Sequence, residues 1–183
     1  MKGKALKYII FLATVSITGV FLVQFIFLRS SYNFSEKQFI ESTSVALKEV
    51  AWQILLADGE SANFDSITPV EIVSGNYYLV NVNSAIDNEL LKTNLIDQLK
   101  KHEIYTDFEF AIFDPESEQM EDGTFITASL EERPSQFVFP INKKYKNYFG
   151  VHFPNRSAFL ISHLSIWYFL TGLLLIVIIF FGY

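Results

Sequence analysis

Two stretches of the chain carry no Asp, Glu, Lys or Arg: Tyr8 to Leu28, and Ser157 to the last residue, Tyr183. A helix rises ~1.5 Å per residue and the hydrocarbon core of a bilayer is ~30 Å thick, so about 20 apolar residues cross it. Both stretches are long enough. The pattern therefore predicts a transmembrane helix at 8–28, a second at 163–183, a short leader at 1–7 and one domain at 29–162. Gln24 is the only strongly polar side chain in the first stretch, and Leu173 to Phe181 is apolar on every helical face. A cleaved signal peptide is a weaker reading of the first stretch. Signal cores run to about 7–15 residues, and Arg29-Ser30-Ser31-Tyr32 offers no small-x-small cleavage site. A buried hairpin helix is a weaker reading of the second, because nothing else in the chain could bury it.

The segment between the spans changes period several times. Phe39/Ile40, Ala46/Leu47, Val50/Ala51 and Ile54/Leu55 recur at helical spacing, and Asp58-Gly59 ends that helix. Ser35 with Gln38 reads as a capping box, or the membrane helix runs on unbroken. Val70–Val73 and Tyr77–Val82 form a hairpin about Ser74-Gly75-Asn76. A second helix is expected from Ser84, as its cap, to Lys101. Its apolar face is Ile86, Leu90, Leu91, Leu95 and Leu99, with Lys100, Lys101 and His102 at the negative end of the dipole. Phe108, Phe110 and Ile112 then alternate with Glu109, Ala111 and Phe113. Asp114-Pro115 opens a polar loop that closes at Asp122-Gly123, before a short strand at Thr124–Thr127. Gln136–Ile141 reads as a strand that Pro140 puts at an edge or on a bulge, and Tyr148–Phe153 as the last strand. The fold class is α+β: transmembrane helix, long helix, antiparallel sheet with helices on one side, transmembrane helix.

Charge orients this arrangement. Lys2, Lys4 and Lys7 precede the first span, whereas all 20 Asp and Glu follow it. The positive-inside rule leaves the short basic end in the cytoplasm, puts 29–162 outside, and returns the C-terminal end to the cytoplasm. Such a chain belongs in a cytoplasmic (inner) membrane, with the bilayer as its first partner. The acidity of the outer part argues against nucleic acid. Cys is absent, which excludes a disulfide framework and a thiolate metal site.

Catalytic motifs are not visible. His102, His152 and His163 form no H-E-x-x-H, and there is no G-x-S-x-G or Gly-rich phosphate loop. Nothing calls for a cofactor. The densest polar feature is Asp114, Glu116, Glu118, Glu121 and Asp122, a candidate for Ca²⁺ or Mg²⁺, which favour hard oxygen ligands. Its spacing is not that of an EF-hand, and a solvated hairpin loop is the plainer reading. Tyr77, Tyr78, Phe108, Phe110, Phe137, Phe139 and Phe149 offer either a ligand pocket or, more simply, a core. Trp167-Tyr168 suits the aromatic belt at a membrane surface.

The layout and three strings resemble the N-terminal sensor region of membrane histidine kinases of the Bacteroidetes type. The strings are Phe25-Ile26-Phe27-Leu28-Arg29, Asp107-Phe108-Glu109-Phe110-Ala111-Ile112-Phe113-Asp114, and Phe149-Gly150-Val151-His152-Phe153-Pro154-Asn155-Arg156 before Ile166-Trp167-Tyr168. The element order is similar to extracytoplasmic PAS-like (PDC) sensors, in which a long helix precedes the sheet. The resemblance implies a homodimer and a response regulator downstream. The family's H-E-x-x-x-P phosphoacceptor box and ATP-binding boxes are absent from these 183 residues. The expected role is thus signal input, with the kinase in a continuing reading frame. That frame should show basic residues soon after Tyr183, then a helical pair with a phosphoacceptor His. A stand-alone envelope module with an interaction domain is the alternative, and a stop codon in an intact gene would favour it.

The orientation has a direct test. A periplasm-active reporter fused at Glu118 should be active, and one fused after Tyr183 should be active only in its cytoplasmic form. An external C-terminal end would overturn the topology.

Overall fold

A computed structural model describes residues 2–59, 69–82, 84–163 and 169–176. The chain divides into two compact units, one of 1–37 with 160–183 and one of Gln38–Phe159. Helix α1 spans Lys2–Ala57 without a break. No proline precedes Pro69, and Ser35 stays helical, so the capping box does not form and the unbroken alternative holds. Asp58 N–H still bonds to Ile54 C=O, and Gly59 leaves the helix at φ 74°. Within α1, the stretch from Thr14 onward is long and apolar enough to cross a membrane. Between Thr14 and Phe27 its apolar side chains, including Phe21, Leu22, Phe25 and Ile26, are exposed. Of the second apolar stretch, 164–168 and 177–183 lie outside the described residues, and with them Trp167-Tyr168. Helix α3 is Arg156–His163, and 169–176 is helical.

The unit Gln38–Phe159 is α+β. Its strands are β1 Val70–Ser74, β2 Tyr77–Asn81, β3 Phe108–Asp114, β4 Gln119–Ile126, β5 Glu132–Pro134 and β6 Tyr148–His152. They form one antiparallel sheet in the order β1-β2-β6-β3-β4-β5. Helix α2 is Asn88–Lys101, shorter than expected. Asp87, not Ser84, is its cap: Asp87 is extended, and its Oδ1 accepts from Leu90 N–H at 2.8 Å. Ser84 instead donates to the Asp58 carboxylate beyond the end of α1.

Opposed residues in an antiparallel pair share a face, so the register sorts the core. Tyr78, Val151 and Phe110 stand in one row, and Val80, Phe149 and Ile112 in another on the same face. The helices cover this side. Phe39 of α1 meets Phe153 edge-on at 5.4 Å, and Phe153 meets Tyr78 in the same way at 5.8 Å. Phe39, Ala46, Leu47, Val50, Ala51, Ile54 and Leu55 are all buried, as are Leu91, Leu95 and Leu99 of α2. Glu49 ties the two helices through Lys101 at 2.6 Å and His102 at 3.3 Å. The Lys101 hydrogen bond holds the Glu49 carboxyl below its usual pKa.

The opposite face is covered by a strap of chain. The segment 135–147 makes no strand, which corrects the strand expected at Gln136–Ile141. Phe137 and Phe139 point in while Val138 is 88 % exposed, so the alternation is real. Extended backbone has period 2 whether or not it joins a ladder. Here it crosses the sheet face. Its start is pinned by Ser135 to Glu109, and its end by the Tyr145 hydroxyl to Glu71 at 2.7 Å and Lys144 to Glu71 at 3.0 Å. The strap has room because the sheet beneath is shaved down at Gly150 and Ala111. A Cβ on Gly150 would lie 2.7 Å from Tyr77 Oη and 3.0 Å from Phe139 Cδ1.

Gly150→Ala should therefore push Tyr77 or Phe139 off the sheet and cost about 1–3 kcal/mol, as overpacking does. Chemical denaturation of the detergent-solubilised chain checks this. Unchanged stability would mean that the strap is not packed as described.

Candidate functional site

The strap face holds a connected set of buried polar side chains. One register row runs across all six strands: Ser74, Tyr77, His152, Glu109, Phe125 and Arg133. At its centre, Glu109 is a buried carboxylate on a strand whose neighbours are aromatic. A buried charge needs partners. Glu109 Oε2 accepts from the Ser135 hydroxyl, and Oε1 lies 3.3 Å from His152 Nδ1. His152 Nε2 lies 3.1 Å from Asn76 Nδ2, and Asn76 Oδ1 accepts from the Ser74 hydroxyl at 2.9 Å. The Phe137 ring lies flat on the imidazole, with centroids 3.8 Å apart and planes 10° apart.

These bonds run in one consistent direction. Ser74 donates to Asn76, which orients the amide so that Nδ2 donates to His152 Nε2. Nε2 then carries no proton, and Nδ1–H donates to Glu109. The set is thus satisfied with a neutral imidazole. It is not a hydrolytic triad, because the serine bonds to the carboxylate and Asn76 occupies the imidazole nitrogen that would have to activate a nucleophile.

Beside this set lies a cleft of about 670 Å³. Ala111, Met120, Gly123, Ser135, Phe137 and Phe139 form much of its wall, with Glu118 also lining it. Nearby, Tyr77 is 4 % exposed and packs against Phe137 and Phe139, with ring centroids 5.7 and 6.1 Å away. Its hydroxyl has no hydrogen-bond partner among the described residues, and burial drives its pKa well above the usual tyrosine value. Across the sheet, burial pushes Tyr78 up to about 12.

No family model matches the chain, and neither curated proteins nor solved structures show a significant match.

The acidic candidates fall elsewhere. The expected loop from Asp114 to Asp122 is mostly strand: a tight turn at 115–118 joins β3 to β4, which begins at Gln119. Asp114 is the staple of that turn. Its Oδ1 accepts from Glu116 N–H and its Oδ2 from Ser117 N–H, both at 3.0 Å. Asp122 sits at φ 54°, where β4 carries one residue more than β3 between Phe110 and Ile112. Asp114, Glu121 and Asp122 line a cleft of about 390 Å³ with Asp87, whereas Glu118 lines the other cleft and Glu116 lines neither of these two. Among the described residues no three His, Cys, Asp or Glu side chains are arranged to hold a metal ion. Of the aromatic candidates, Tyr78, Phe108, Phe110 and Phe149 lie on the helix face, and Tyr77, Phe137 and Phe139 on the strap face. His102 caps α2, and only His152 enters the polar set.

The pairing of Glu109 with His152 was out of reach of sequence spacing. The available signal was a single charged residue inside a run of buried apolar ones, Phe108-Glu109-Phe110-Ala111.

The Asp114 staple carries a pH consequence. The Glu116 amide, then Ser117, hold its carboxyl below the usual range. A carboxyl whose pKa is lowered by folding stabilises the fold above its unfolded pKa, about 3.9, and loses that contribution as pH falls through the folded value. Melting temperature should thus drop less between pH 6 and pH 3 in Asp114→Asn, which has no charge to lose, than in the parent. Equal drops would refute the assignment.

Proposed function

We propose that the chain is the signal-input part of a bacterial membrane sensor histidine kinase. In this reading 8–28 and 163–183 both cross the inner membrane, 29–162 is an extracytoplasmic PAS/PDC-like sensor, and the protein works as a homodimer upstream of a response regulator. One observation carries the proposal: the helix that supplies the candidate membrane span continues, without a cap, glycine or proline between Val20 and Ala57, into residues buried in the sheet core. A stimulus that shifts the sheet domain would move Phe39, Ala46 and Val50, and a continuous helix passes that displacement along its axis. Packed helices switch between discrete arrangements instead of bending smoothly, which suits signalling. The kinase strings and the charge asymmetry support the same reading.

The outer face of α1 supports the dimer. Val45 is 45 % exposed there, between exposed Glu41 and Lys48.

The test exploits helical phase. Residues 1–183 are grafted onto a cytoplasmic histidine-kinase core, and residues are inserted in α1 between Arg29 and Ser30. One inserted residue turns the downstream helix by ~100°, whereas seven return it to nearly the same phase. Autophosphorylation should change severalfold with one residue and return towards the parental level with seven. In the same membranes a lone cysteine at Val45 should crosslink, since the chain has no native cysteine. Output indifferent to both insertions, with no crosslink, would refute signal input through α1.

A further inference from the structure

We propose that His152 is a proton-operated latch that fastens the strap over the sheet, so that the wall of the 670 Å³ cleft tightens as the surroundings become acidic. The idea builds on the sensor reading and assigns it a stimulus.

The argument starts from what the imidazole touches. On one edge is Glu109, which also holds Ser135 at the root of the strap. On its face is Phe137, the strap's first inward ring. On the other edge is Asn76, which donates to Nε2 in the neutral state. Histidine is the side chain that ordinarily changes charge between about pH 5 and 8. Adding a proton to Nε2 changes all three contacts. The Nδ1–H···Glu109 bond becomes charge-assisted on both sides, and such bonds are shorter and roughly twice as strong as neutral ones. The stack on Phe137 becomes a cation on an aromatic face. The Asn76 amide now meets a donor and must turn over, so that Oδ1 accepts from Nε2–H. The Ser74 hydroxyl can then accept from Nδ2, because a hydroxyl serves as donor or acceptor. One contact to the strap, the Phe137 ring, strengthens together with the contact to the β3 carboxylate that holds Ser135, and the third is repaired by a side-chain flip. Protonation therefore favours the closed strap.

Other charges near the imidazole do not compete for that role. Within the row, Tyr77 stands beside His152 on β2, and Arg133 on β5 is paired with Glu131 at 2.7 Å. Asp107, two residues before Glu109, accepts from Ala128 N–H and Asn155 Nδ2. The strap from Ser135 to Ile141 carries no charge. Glu71 is engaged by Tyr145 and Lys144 at the strap's far end, and Glu118 stands on the cleft wall. Glu109 is thus the carboxylate in direct contact with the imidazole among the described residues.

The latch also explains why the strap needs one. Among the described residues its backbone is held at few points: Ser135 N–H to Gly123 C=O, Phe137 N–H to Ser135 Oγ, Asn142 N–H to Tyr148 Oη, and Asn147 C=O accepting from Val82 N–H. A segment held mainly by side chains opens at lower cost than a ladder strand.

The experiment is hydrogen–deuterium exchange on the full chain in nanodiscs at pH 8.0 and 5.5, read as protection factors so that intrinsic pH chemistry cancels. Peptides covering 136–141 should gain roughly tenfold protection at pH 5.5, the size expected of a strengthened ion pair and ring contact. Peptides covering the β2 and β6 ladders should not change. His152→Gln, which keeps hydrogen bonding without a titrating ring, should abolish the gain. Phe137→Leu should reduce it while leaving the Glu109 contact in place, and serves if His152→Gln does not fold. Unchanged protection in the parent, a gain that persists in His152→Gln, or, where that variant does not fold, a gain undiminished in Phe137→Leu, would overturn the latch. The readout is the strap itself, so this failure would leave the signal-input reading to be judged on helix phase.

Discussion

The architecture follows from one constraint: strands β2, β6 and β3 are buried on both faces. Tyr77 to Val80, Phe108 to Ala111 and Tyr148 to Val151 are each buried at every position. Antiparallel sheets more often keep one face wet and alternate accordingly. This sheet cannot, so it must be covered twice. Helices supply one cover, because α1 and α2 each present an apolar stripe and satisfy their own backbone bonds. The chain left over for the other face is 135–147, which Pro140 interrupts in the middle, against a continuous helix. It crosses as an extended strap, with Phe137, Phe139 and Tyr145 as its inward contacts. Gly150 and Ala111 supply the depth for those rings, so the smallest residues of the sheet lie beneath the largest of the strap.

Covering a sheet with a strap places polar groups out of water, and each then needs a partner. Glu109 is the clearest case. Placed where the strap begins, it gains a serine from the strap and an imidazole from β6. The imidazole in turn is completed by the hairpin turn of β1 and β2. The polar set is therefore part of how the cover is attached, and removing one member would leave the next as a buried, unpartnered group.

Much of this was legible in the amino-acid order. The helical spacing of Phe39 to Leu55, the Ser74-Gly75-Asn76 turn and the strands at Phe108 and Tyr148 follow from local periodicity, which depends only on neighbours in sequence. Three features did not. Ser84 and Asp87 are both sound caps, and the choice went to Asp87 because Ser84 is claimed by Asp58, a contact 26 residues away. The alternation at Gln136–Ile141 reports which side chains face inward, and says nothing about whether the backbone has a strand beside it. The strand expected at Thr124–Thr127 is the second half of β4; its first half was hidden because Gln119 to Asp122 is mostly polar and exposed, an edge-side surface with no burial pattern to read. The site was the least legible part. Its members, Ser74, Asn76, Glu109, Ser135 and His152, come from four parts of the chain and meet only through register.

The two covers are held in unequal ways. On the helix face, every backbone group in α1 between its ends is bonded within the helix, and the buried side chains of Phe39, Leu47 and Ile54 follow each other about two turns apart. Displacing that cover means moving a rigid rod. On the strap face, the backbone is fastened at a few points and by side chains, so it can open locally while the ladder beneath stays intact. A small molecule or proton acts most cheaply on the weaker cover. A response becomes mechanical only if it reaches the stronger one. The sheet connects them, because Tyr77 beneath the strap and Tyr78 beneath Phe153 are consecutive residues of β2 facing opposite ways. The strap row and the face where Phe39 of α1 rests against Phe153 therefore lie back to back on one strand.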